Sequence, residues 1–168
     1  MCQNNALQRR QFPATEVYHT EKCGFGLRAI EDIAGRVVVS EYLGEVIDDE
    51  ELRERIGNLK DGDDYYFAAL TNGLFLDAGP MGSNARYANH SCAPNCSLEK
   101  WSVDGEIRVA LVTLRPIRRL EALCYNYRAD DLDGEVVLQD CRCGAENCCG
   151  VIGGNVEKSK IEEWESTV

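Results

Sequence analysis

The chain has 168 residues, 44% of them hydrophobic, and its formal net charge at pH 7 is −11. This composition suffices for one buried core and excludes a largely disordered chain. No apolar run approaches the roughly 18 residues of a membrane span, no signal peptide is visible, and the acidic charge repels nucleic acid. We therefore expect one soluble, intracellular globular unit with cationic partners, without a membrane partner and without direct binding to DNA.

The first third of the chain predicts short strands joined by turns. Residues Glu16 to Gly44 contain VYHT, then a glycine turn at Cys23 to Leu27, and then RVVVSEYLG, whose β-branched run Val37 to Val39 favours a strand. The next segment, Asp48 to Leu59, predicts a short helix. Its acidic residues come early and its arginines come late, which matches the helix dipole, and Gly57 ends it.

The middle of the chain predicts two hairpins. The segments YYFAAL and LFLDAG are separated by Thr71 to Gly73, and Asn-Gly within that turn is a strong hairpin signal. Two further strands, KWSVDG and EIRVALVTL, are joined at Asp104 and Gly105. Many short strands with little helix predict a mostly β (β-rich α+β) fold, not alternating βαβ units.

A cysteine cluster near the C-terminus predicts a metal site. In an intracellular protein, clustered cysteines are more often metal ligands than disulfides. Cys141, Cys143 and Cys148 form the pattern C-x-C-x4-C. Thiolates this close repel one another unless they share a cation, and zinc takes four such ligands in a tetrahedron. We therefore expect a zinc site that lacks one local ligand.

The fourth zinc ligand must come from another segment. Cys92 in NHSCAPNC is the predicted donor, since Pro94 fixes a turn there, and Cys96 is a nearby competitor. Within the tail, Cys149 is an alternative to Cys148. An ion with four protein ligands has no open position, so it would join the tail to the NHSC segment without activating water. We expect the two other cysteines of the central region to be packing residues, namely Cys23 and Cys124.

Five motifs in a fixed order carry a family resemblance. They are CGFG at Cys23 to Gly26, EYLGEVID at Glu41 to Asp48, DAGPMGSNARYANHSCAPNC at Asp77 to Cys96, CYNY at Cys124 to Tyr127, and the cysteine-rich tail. Over about residues 11 to 154 the chain resembles the SET-domain lysine methyltransferases, in particular the NSD/ASH/SETD branch that methylates histone H3. The resemblance implies a SET-domain fold of small curved sheets, a zinc-bound post-SET tail, and a C-terminal pseudoknot in which NHSC and YNY meet.

The resemblance also divides the chain into segments. Residues 1–15 are the expected remnant of a pre-SET (AWS-like) segment, 16–128 the SET domain, 129–154 the post-SET zinc segment and 155–168 a C-terminal tail. Only Cys2 resembles a ligand of the pre-SET zinc module, so we expect this chain to be part of a longer protein. Two positions depart from the family pattern: Leu120 replaces a usual glycine, and Val151 replaces a usual aromatic residue.

A site for S-adenosylmethionine, with S-adenosylhomocysteine as the product, is the next implication of the resemblance. The turn Gly24, Phe25 and Gly26 matches the family's cofactor loop, in which glycines allow close backbone approach and the aromatic ring covers the ligand. On its own this turn could equally be an ordinary hairpin turn. The resemblance implies further cofactor contacts at Tyr66, Arg86, Asn89, His90 and Arg142. We expect His90 to be partly structural as well.

Three tyrosines match the aromatic positions of the family's lysine channel, namely Tyr66, Tyr125 and Tyr127. Methyl transfer from a sulfonium to an amine requires collinear atoms and a site without water. The resemblance assigns catalysis to Tyr127, assisted by Tyr66, and control of the product state to Tyr125. For each of them the alternative is a core aromatic residue with a satisfied hydroxyl.

The implied function is an S-adenosylmethionine-dependent protein-lysine N-methyltransferase acting on a histone H3 tail or nucleosome. Branch resemblance favours lysine thirty-six, mainly mono- to dimethylation, and a location in the nucleus on chromatin. Two alternatives are a non-catalytic SET module that binds a histone tail and a methyltransferase of a basic non-histone protein. The presence of Tyr127 together with NHSC and CGFG favours activity.

Overall fold

The computed structural model describes residues 5–60, 63–127 and 139–152. The predicted pre-SET cysteine Cys2 and the predicted tail 155–168 lie outside these residues. Within them the helices are α1 (Asn5–Arg9), α2 (Asp49–Gly57) and a 3-10 helix (Asn84–Tyr87). The strands are β1 (Thr15–His19), β2 (Phe25–Ala29), β3 (Val38–Tyr42), β4 (Glu45–Asp48), β5 (Phe67–Thr71), β6 (Leu74–Asp77), β7 (Asn89–His90), β8 (Cys96–Val103), β9 (Glu106–Thr113), β10 (Ala122–Tyr125), β11 (Gln139–Asp140) and β12 (Val151–Ile152).

Small sheets make up the architecture, as predicted. Their strand orders are β1-β2-β10-β7, β3-β9-β8, β4-β6-β5 and β11-β12. The main core lies where the three larger sheets face one another. Leu27 and Leu123 come from the first sheet, Tyr42 and Leu111 from the second, and Leu76 from the third. None of the helices in the described part of the chain is long and apolar enough to cross a membrane.

Both predicted hairpins are confirmed. Strands β5 and β6 pair antiparallel around Asn72 and Gly73, where Gly73 has φ +69°. Strands β8 and β9 pair along their full length around a turn at Asp104 (φ 53°) and Gly105 (φ 87°). Two consecutive residues with positive φ are the requirement of a two-residue turn whose twist matches its strands.

Helix α2 follows the predicted segment closely. Asp48 is its N-cap, and the carboxylate of this residue accepts a hydrogen bond from the Glu51 backbone N–H at 3.0 Å. The helix ends at Gly57 with Asn58 as its C-cap, where the sequence predicts its end. Its fully buried Leu52 packs with Phe75 of β6, so the helix covers one face of the third sheet.

The two segments expected to meet in a pseudoknot do meet. β7 and β10 pair in parallel, with Cys124 opposite Asn89 and Tyr125 opposite His90. The Ser91 N–H extends this pairing by donating to the Tyr125 carbonyl at 3.0 Å. A parallel pair needs a long crossover, here the β8-β9 hairpin, and this crossover brings residues far apart in sequence into one place.

A buried amide and a carboxylate fix the crossover beside this pair. The Asn95 side chain is 2% exposed, donates to the Ala122 carbonyl at 2.7 Å and accepts from the Cys124 N–H at 2.9 Å. It also donates to Glu121 at 3.0 Å, and Glu121 forms an ion pair with Arg115 at 2.7 Å. Burial alone would raise the pKa of Glu121, but the hydrogen bonds from Arg115, the Arg118 N–H and Asn95 together lower it to about 2.

Acid should weaken the fold through Glu121. Because its folded-state pKa is depressed, the stability that its charge contributes is present above the ordinary value of 4.5 and is lost as the pH falls towards about 2. We expect Glu121→Gln to lower the free energy of unfolding at pH 7 by about 1 to 2 kcal/mol, the loss of a charged hydrogen-bond acceptor. Thermal melts between pH 7 and 2 should therefore show a steeper decline for the wild type than for the variant. Parallel declines would contradict this role.

The turn before β10 holds a leucine in a conformation that favours glycine. Leu120 adopts φ +68°, the left-handed region, and its N–H donates to the Ala29 carbonyl at 2.7 Å. A left-handed conformation costs a non-glycine residue roughly 1 to 2 kcal/mol. The leucine noted in the sequence therefore introduces local strain in this turn.

Leu120→Gly should stabilise the protein, because glycine adopts positive φ without steric cost. We expect a gain of about 0.5 to 1 kcal/mol in the free energy of unfolding, since the added entropy of glycine in the unfolded chain offsets part of the relieved strain. Denaturant titration measures this gain. Leu114→Gly is the matched control, because Leu114 is similarly exposed (45% against 49%) but lacks the positive φ, and it should lose stability. Equal losses in both variants would contradict the prediction.

Candidate active site and cysteine cluster

A cavity of about 830 Å³ opens where the first sheet, the 3-10 helix and the C-terminal segment approach one another. Its lining includes Lys22 to Phe25 before and within β2, Asp64 to Tyr66 before β5, Arg86 and Tyr87, Asn89 and His90 of β7, and Tyr127 after β10. Arg142, Cys143 and Ile152 line it from the C-terminal segment. The pseudoknot thus forms one wall, and the cysteine-rich tail forms another.

The glycine turn contributes open space and an exposed aromatic ring. Gly24 has φ +61°, and a Cβ built on it would meet no atom within 4 Å. Phe25 is 57% exposed, with its ring edge-to-face on His19 and Tyr87 at 5.8 Å. Gly26 also has a packing role: a Cβ there would lie 2.7 Å from the Thr20 side chain. Strand packing therefore requires that glycine.

Asn89 and Arg86 support the wall opposite the turn. The Asn89 amide donates to the Phe25 carbonyl at 3.0 Å, which ties the pseudoknot to the glycine turn. Arg86 donates to the Ala78 carbonyl at 2.8 Å and to the Tyr87 hydroxyl at 2.7 Å. Its Nε is buried, with no hydrogen-bond partner among the described residues. Both side chains are thus largely committed to the protein, and one buried Arg86 donor is left for another acceptor.

Tyr127 presents a fixed hydroxyl at the cavity. That hydroxyl donates to the Ala88 carbonyl at 2.9 Å, and the ring packs on Tyr125 with centroids 4.7 Å apart. Burial, with nearby Tyr42 and Tyr65 adding to it, raises the pKa of Tyr127 well above its ordinary value. The phenol therefore stays protonated at physiological pH, and its oxygen keeps lone pairs that can accept hydrogen bonds. It is suited to orienting a donor, not to removing a proton as a phenolate.

The structure adds a tyrosine that sequence analysis missed. Tyr65 packs edge-to-face on Tyr127 at 6.3 Å and lines the cavity. Tyr66, the predicted residue, also lines it, but its ring lies 5.8 Å from the Arg86 guanidinium, and its hydroxyl donates to Asp64 at 3.4 Å. The adjacent tyrosines in YYF were the signal available in the sequence. Only the structure shows that one of them contacts Tyr127 and the other Arg86.

Tyr125 lies deeper than expected. It is 8% exposed and is not among the described residues that line the cavity, although its ring contacts Tyr127. Burial raises its pKa well above the ordinary value, and the nearby hydroxyls of Tyr127 and Tyr42 add to that rise. Tyr42, which the sequence did not single out, donates to the Tyr66 carbonyl at 2.8 Å. Buried tyrosines thus lie behind the Tyr127 ring.

The predicted cysteines converge beside the cavity. The sulfurs of Cys92, Cys141, Cys143 and Cys148 all lie within 4.8 Å of one another. Four sulfurs around one zinc ion at about 2.3 Å would be about 3.8 Å apart, and Cys92 and Cys141 are 3.8 Å apart. Cys96, the competing candidate, is 1% exposed in the main core. The expectation that Cys23 is a packing residue is wrong, because that side chain is exposed in the glycine turn.

One backbone N–H group donates to a sulfur of this cluster, and the pKa values of the thiols differ. The Gly150 N–H donates to the Cys148 sulfur at 3.4 Å. Although burial opposes it, nearby backbone groups and thiols lower the pKa of Cys143 to about 6. Burial instead raises the pKa of Cys92 to about 11, and it also raises the pKa of Cys141. Of these three thiols Cys143 is therefore the most readily ionised, and a group of four soft sulfur donors fits zinc.

Cys149 is close to this group but bonded differently. Its sulfur lies 3.5 Å from that of Cys92, and it donates to the Val151 carbonyl at 3.2 Å. The sulfur of Cys148, and not that of Cys149, belongs to the group of four sulfurs that lie within 4.8 Å of one another. The geometry thus favours Cys148 over Cys149, the alternative that the sequence left open.

Comparison with known proteins agrees with this geometry. A family model described as "SET domain" matches residues 24–128. The chain is 43% identical over 99% of its length to the human "Histone-lysine N-methyltransferase, H3 lysine-36 specific", of which it covers 6%. It is 36% identical over 98% of its length to "Histone-lysine N-methyltransferase ASHH3" of Arabidopsis thaliana, of which it covers 45%. Among solved structures, the methyltransferase domain of human SETMAR superposes with a TM-score of 0.74 at 30% identity, covering 84% of this chain and 58% of that one.

The fold, the pseudoknot and these matches define a class of protein. The chain belongs to the SET-domain family. It spans less than a tenth of the length of the human relative and less than half that of the plant relative.

Proposed function

We propose that this chain is the catalytic region of an S-adenosylmethionine-dependent protein-lysine N-methyltransferase. The observation that carries the proposal is the Tyr127 hydroxyl, which the Ala88 carbonyl and the packed Tyr65 and Tyr125 rings fix at the wall of a cavity. Chains with matching sequence bear the name of this activity. The non-catalytic alternative has no comparable support, because a binding module needs no oriented hydroxyl.

The cofactor fits the open side of the cavity. Gly24 leaves room for close approach, Phe25 is exposed to cover an aromatic or sulfonium group, and Asn89 holds this turn in place. We assign the cofactor contacts to these residues with Arg86, Tyr66 and Arg142 and with the backbone groups of His90, and we assign Gly26 a packing role. When bound, S-adenosylmethionine supplies an electrophilic methyl group on a sulfonium.

The tyrosines would do the rest of the chemistry. An apolar, aromatic channel lowers the pKa of the substrate lysine by desolvation, so the amine loses its proton to solvent before attack. Tyr127, protonated and fixed through Ala88, then orients the neutral amine through its oxygen. Tyr65 and Tyr66 form the channel wall and exclude water. Tyr125 supports Tyr127 from behind and limits the room for methylated products.

We assign a structural zinc ion to Cys92, Cys141, Cys143 and Cys148. Three of these ligands belong to the tail and one to the NHSC segment. Closing the site with four thiolates joins the tail, including Arg142, to the pseudoknot. In this assignment residues 16–128 are the SET domain and 129–154 the post-SET segment, with 1–15 as a pre-SET remnant and 155–168 as a tail.

Histone H3 is the proposed substrate, as a tail or within a nucleosome. The human relative is named for lysine-36 of H3, and a net charge of −11 attracts a basic tail. We propose lysine thirty-six as the target, mono- to dimethylation as the outcome, and chromatin in the nucleus as the location.

Calorimetric titration with S-adenosylmethionine tests the cofactor site. The zinc-loaded protein should bind one molecule per chain. Gly24→Ala should weaken binding about tenfold, a loss of about 1.4 kcal/mol in binding free energy. The reason is that the new methyl group enters the space that we propose for the ligand. Gly73→Ala is the matched control, because Gly73 also has positive φ (+69° against +61°) and open surroundings but lies in the distant β5-β6 turn. No binding by the wild type, or equal weakening in both variants, would contradict the assignment.

A further inference from the structure

The His90 ring is hydrogen bonded on both of its nitrogens. Nδ1 accepts the backbone N–H of Tyr127 at 3.1 Å. Nε2 lies 3.4 Å from the Cys92 sulfur. Because Nδ1 is an acceptor, a neutral ring carries its proton on Nε2, which makes Nε2 the donor and the sulfur the acceptor. The ring also stacks edge-to-face on Tyr127, with centroids 5.4 Å apart.

These two contacts join the cysteine cluster to the tyrosine that faces the cavity. Cys92 belongs to the group of four sulfurs. Tyr127 lies two residues beyond the end of β10, so the β7-β10 pairing at Tyr125 and His90 stops short of it. The imidazole therefore bonds the Tyr127 main chain just past the last paired residue. At the far end of the Tyr127 side chain, the hydroxyl is fixed by its hydrogen bond to the Ala88 carbonyl.

We propose that His90 is a positioning residue that fixes the backbone of Tyr127 through Nδ1 and stabilises the Cys92 thiolate through Nε2, so that metal occupancy of the cysteine cluster orders the catalytic tyrosine. This inference rests on the proposed function for its kinetic consequence. This positioning role differs from the cofactor contact expected of His90, because it gives each ring nitrogen its own hydrogen bond and does not require a bound cofactor.

The coupling has a physical direction. A metal-bound sulfur is a thiolate, and a hydrogen bond to a charged acceptor is shorter and stronger than one to a neutral thiol. Filling the cluster therefore strengthens the contact at Nε2 and restricts rotation of the ring. Restricting the ring in turn fixes Nδ1 against the Tyr127 N–H. Polar groups that orient metal ligands in this way typically change metal affinity or activity about 10- to 100-fold when removed.

Two substitutions separate the two nitrogens. The amide oxygen that His90→Asn introduces lies near the position of Nδ1, so this variant keeps an acceptor for Tyr127 and loses the donor to sulfur. In His90→Gln the terminal amide reaches the position of Nε2, so this variant keeps the donor and loses the acceptor. For both variants, kcat and cofactor KM are measured on the zinc-loaded protein. The thiolate charge-transfer bands are recorded on the cobalt-substituted protein, and NMR follows hydrogen exchange at the Tyr127 amide.

We expect His90→Gln to lower kcat about 10- to 100-fold with little change in cofactor KM, to keep the cobalt bands, and to expose the Tyr127 amide to exchange. His90→Asn should keep most of kcat and the protection of that amide, while shifting the cobalt bands and releasing metal faster to a chelator. Equal losses of kcat in the two variants, or unchanged bands in His90→Asn, would overturn the proposal. If the wild type transfers no methyl group, the proposed function fails, and the cobalt and exchange measurements still decide the role of His90.

Discussion

Tyr127→Phe should lower kcat about 100- to 1,000-fold, the usual cost of removing one oriented hydroxyl from a reacting centre. The phenylalanine keeps the ring contacts with Tyr65 and Tyr125 but cannot bond the Ala88 carbonyl or the amine. Cofactor affinity should change little, because the role proposed for the lost oxygen is to orient the lysine. Single-turnover transfer to a histone H3 peptide, with calorimetry for the cofactor, measures both quantities.

Tyr125→Phe is the matched control, since it removes one hydroxyl from the neighbouring ring. Tyr125 is buried behind the Tyr127 ring, so losing its oxygen gives that ring room to move away from a methylated amine while the bond from Tyr127 to the Ala88 carbonyl stays in place. We expect turnover to continue and the share of di- and trimethyl-lysine to rise above that of the wild type, which should stop mainly at the monomethyl state with some dimethyl. Ready trimethylation by the wild type, or an equal loss of kcat in both variants, would contradict the assignment of these two tyrosines.

Cys143→Ser should remove the metal and abolish activity while leaving the β-sheet core folded. The four sulfurs join strands β11 and β12 to the NHSC segment, and a site of three thiolates binds zinc far more weakly. The core packs through Leu27, Leu111 and Leu123, which do not depend on the tail. Elemental analysis should find one zinc ion per chain in the wild type and none in the variant, with methyl transfer reduced at least about 100-fold.

Cys149→Ser provides the control for the same chemical change in the same loop. The serine hydroxyl can donate to the Val151 carbonyl as the thiol does, so zinc and activity should both be retained. Loss of zinc from Cys149→Ser, or full zinc content in Cys143→Ser, would show that the ligand set is wrong. Limited proteolysis should cut the tail of Cys143→Ser and spare that of the control.

The elements that the sequence predicted well are those set by local chemistry. The turn at Asn72 and Gly73 and helix α2 depend on residues within a few positions of each other, and both appear where expected. The C-x-C-x4-C spacing likewise places three sulfurs in one loop before any tertiary structure forms.

The remaining features depend on contacts between distant segments. Gly26 is needed because a Cβ there would meet the Thr20 side chain, a packing requirement that no turn pattern reveals. Which tyrosine of the YYF pair packs on Tyr127 depends on how the segment before β5 meets the residues after β10. The His90 contacts exist only because β7 and β10 pair in parallel across a crossover that the sequence pattern alone does not reveal.

The most direct test of the account is mass spectrometry of nucleosomes incubated with the zinc-loaded protein and isotopically labelled S-adenosylmethionine. The account predicts labelled mono- and dimethyl groups on a lysine of the H3 tail, with lysine thirty-six as the proposed position, and no label with Tyr127→Phe over the same time. Label on another H3 lysine or on another basic protein would revise the substrate and leave the chemistry intact. No transfer to nucleosomes, octamers or free histones by a protein that binds the cofactor and zinc would contradict the central claim.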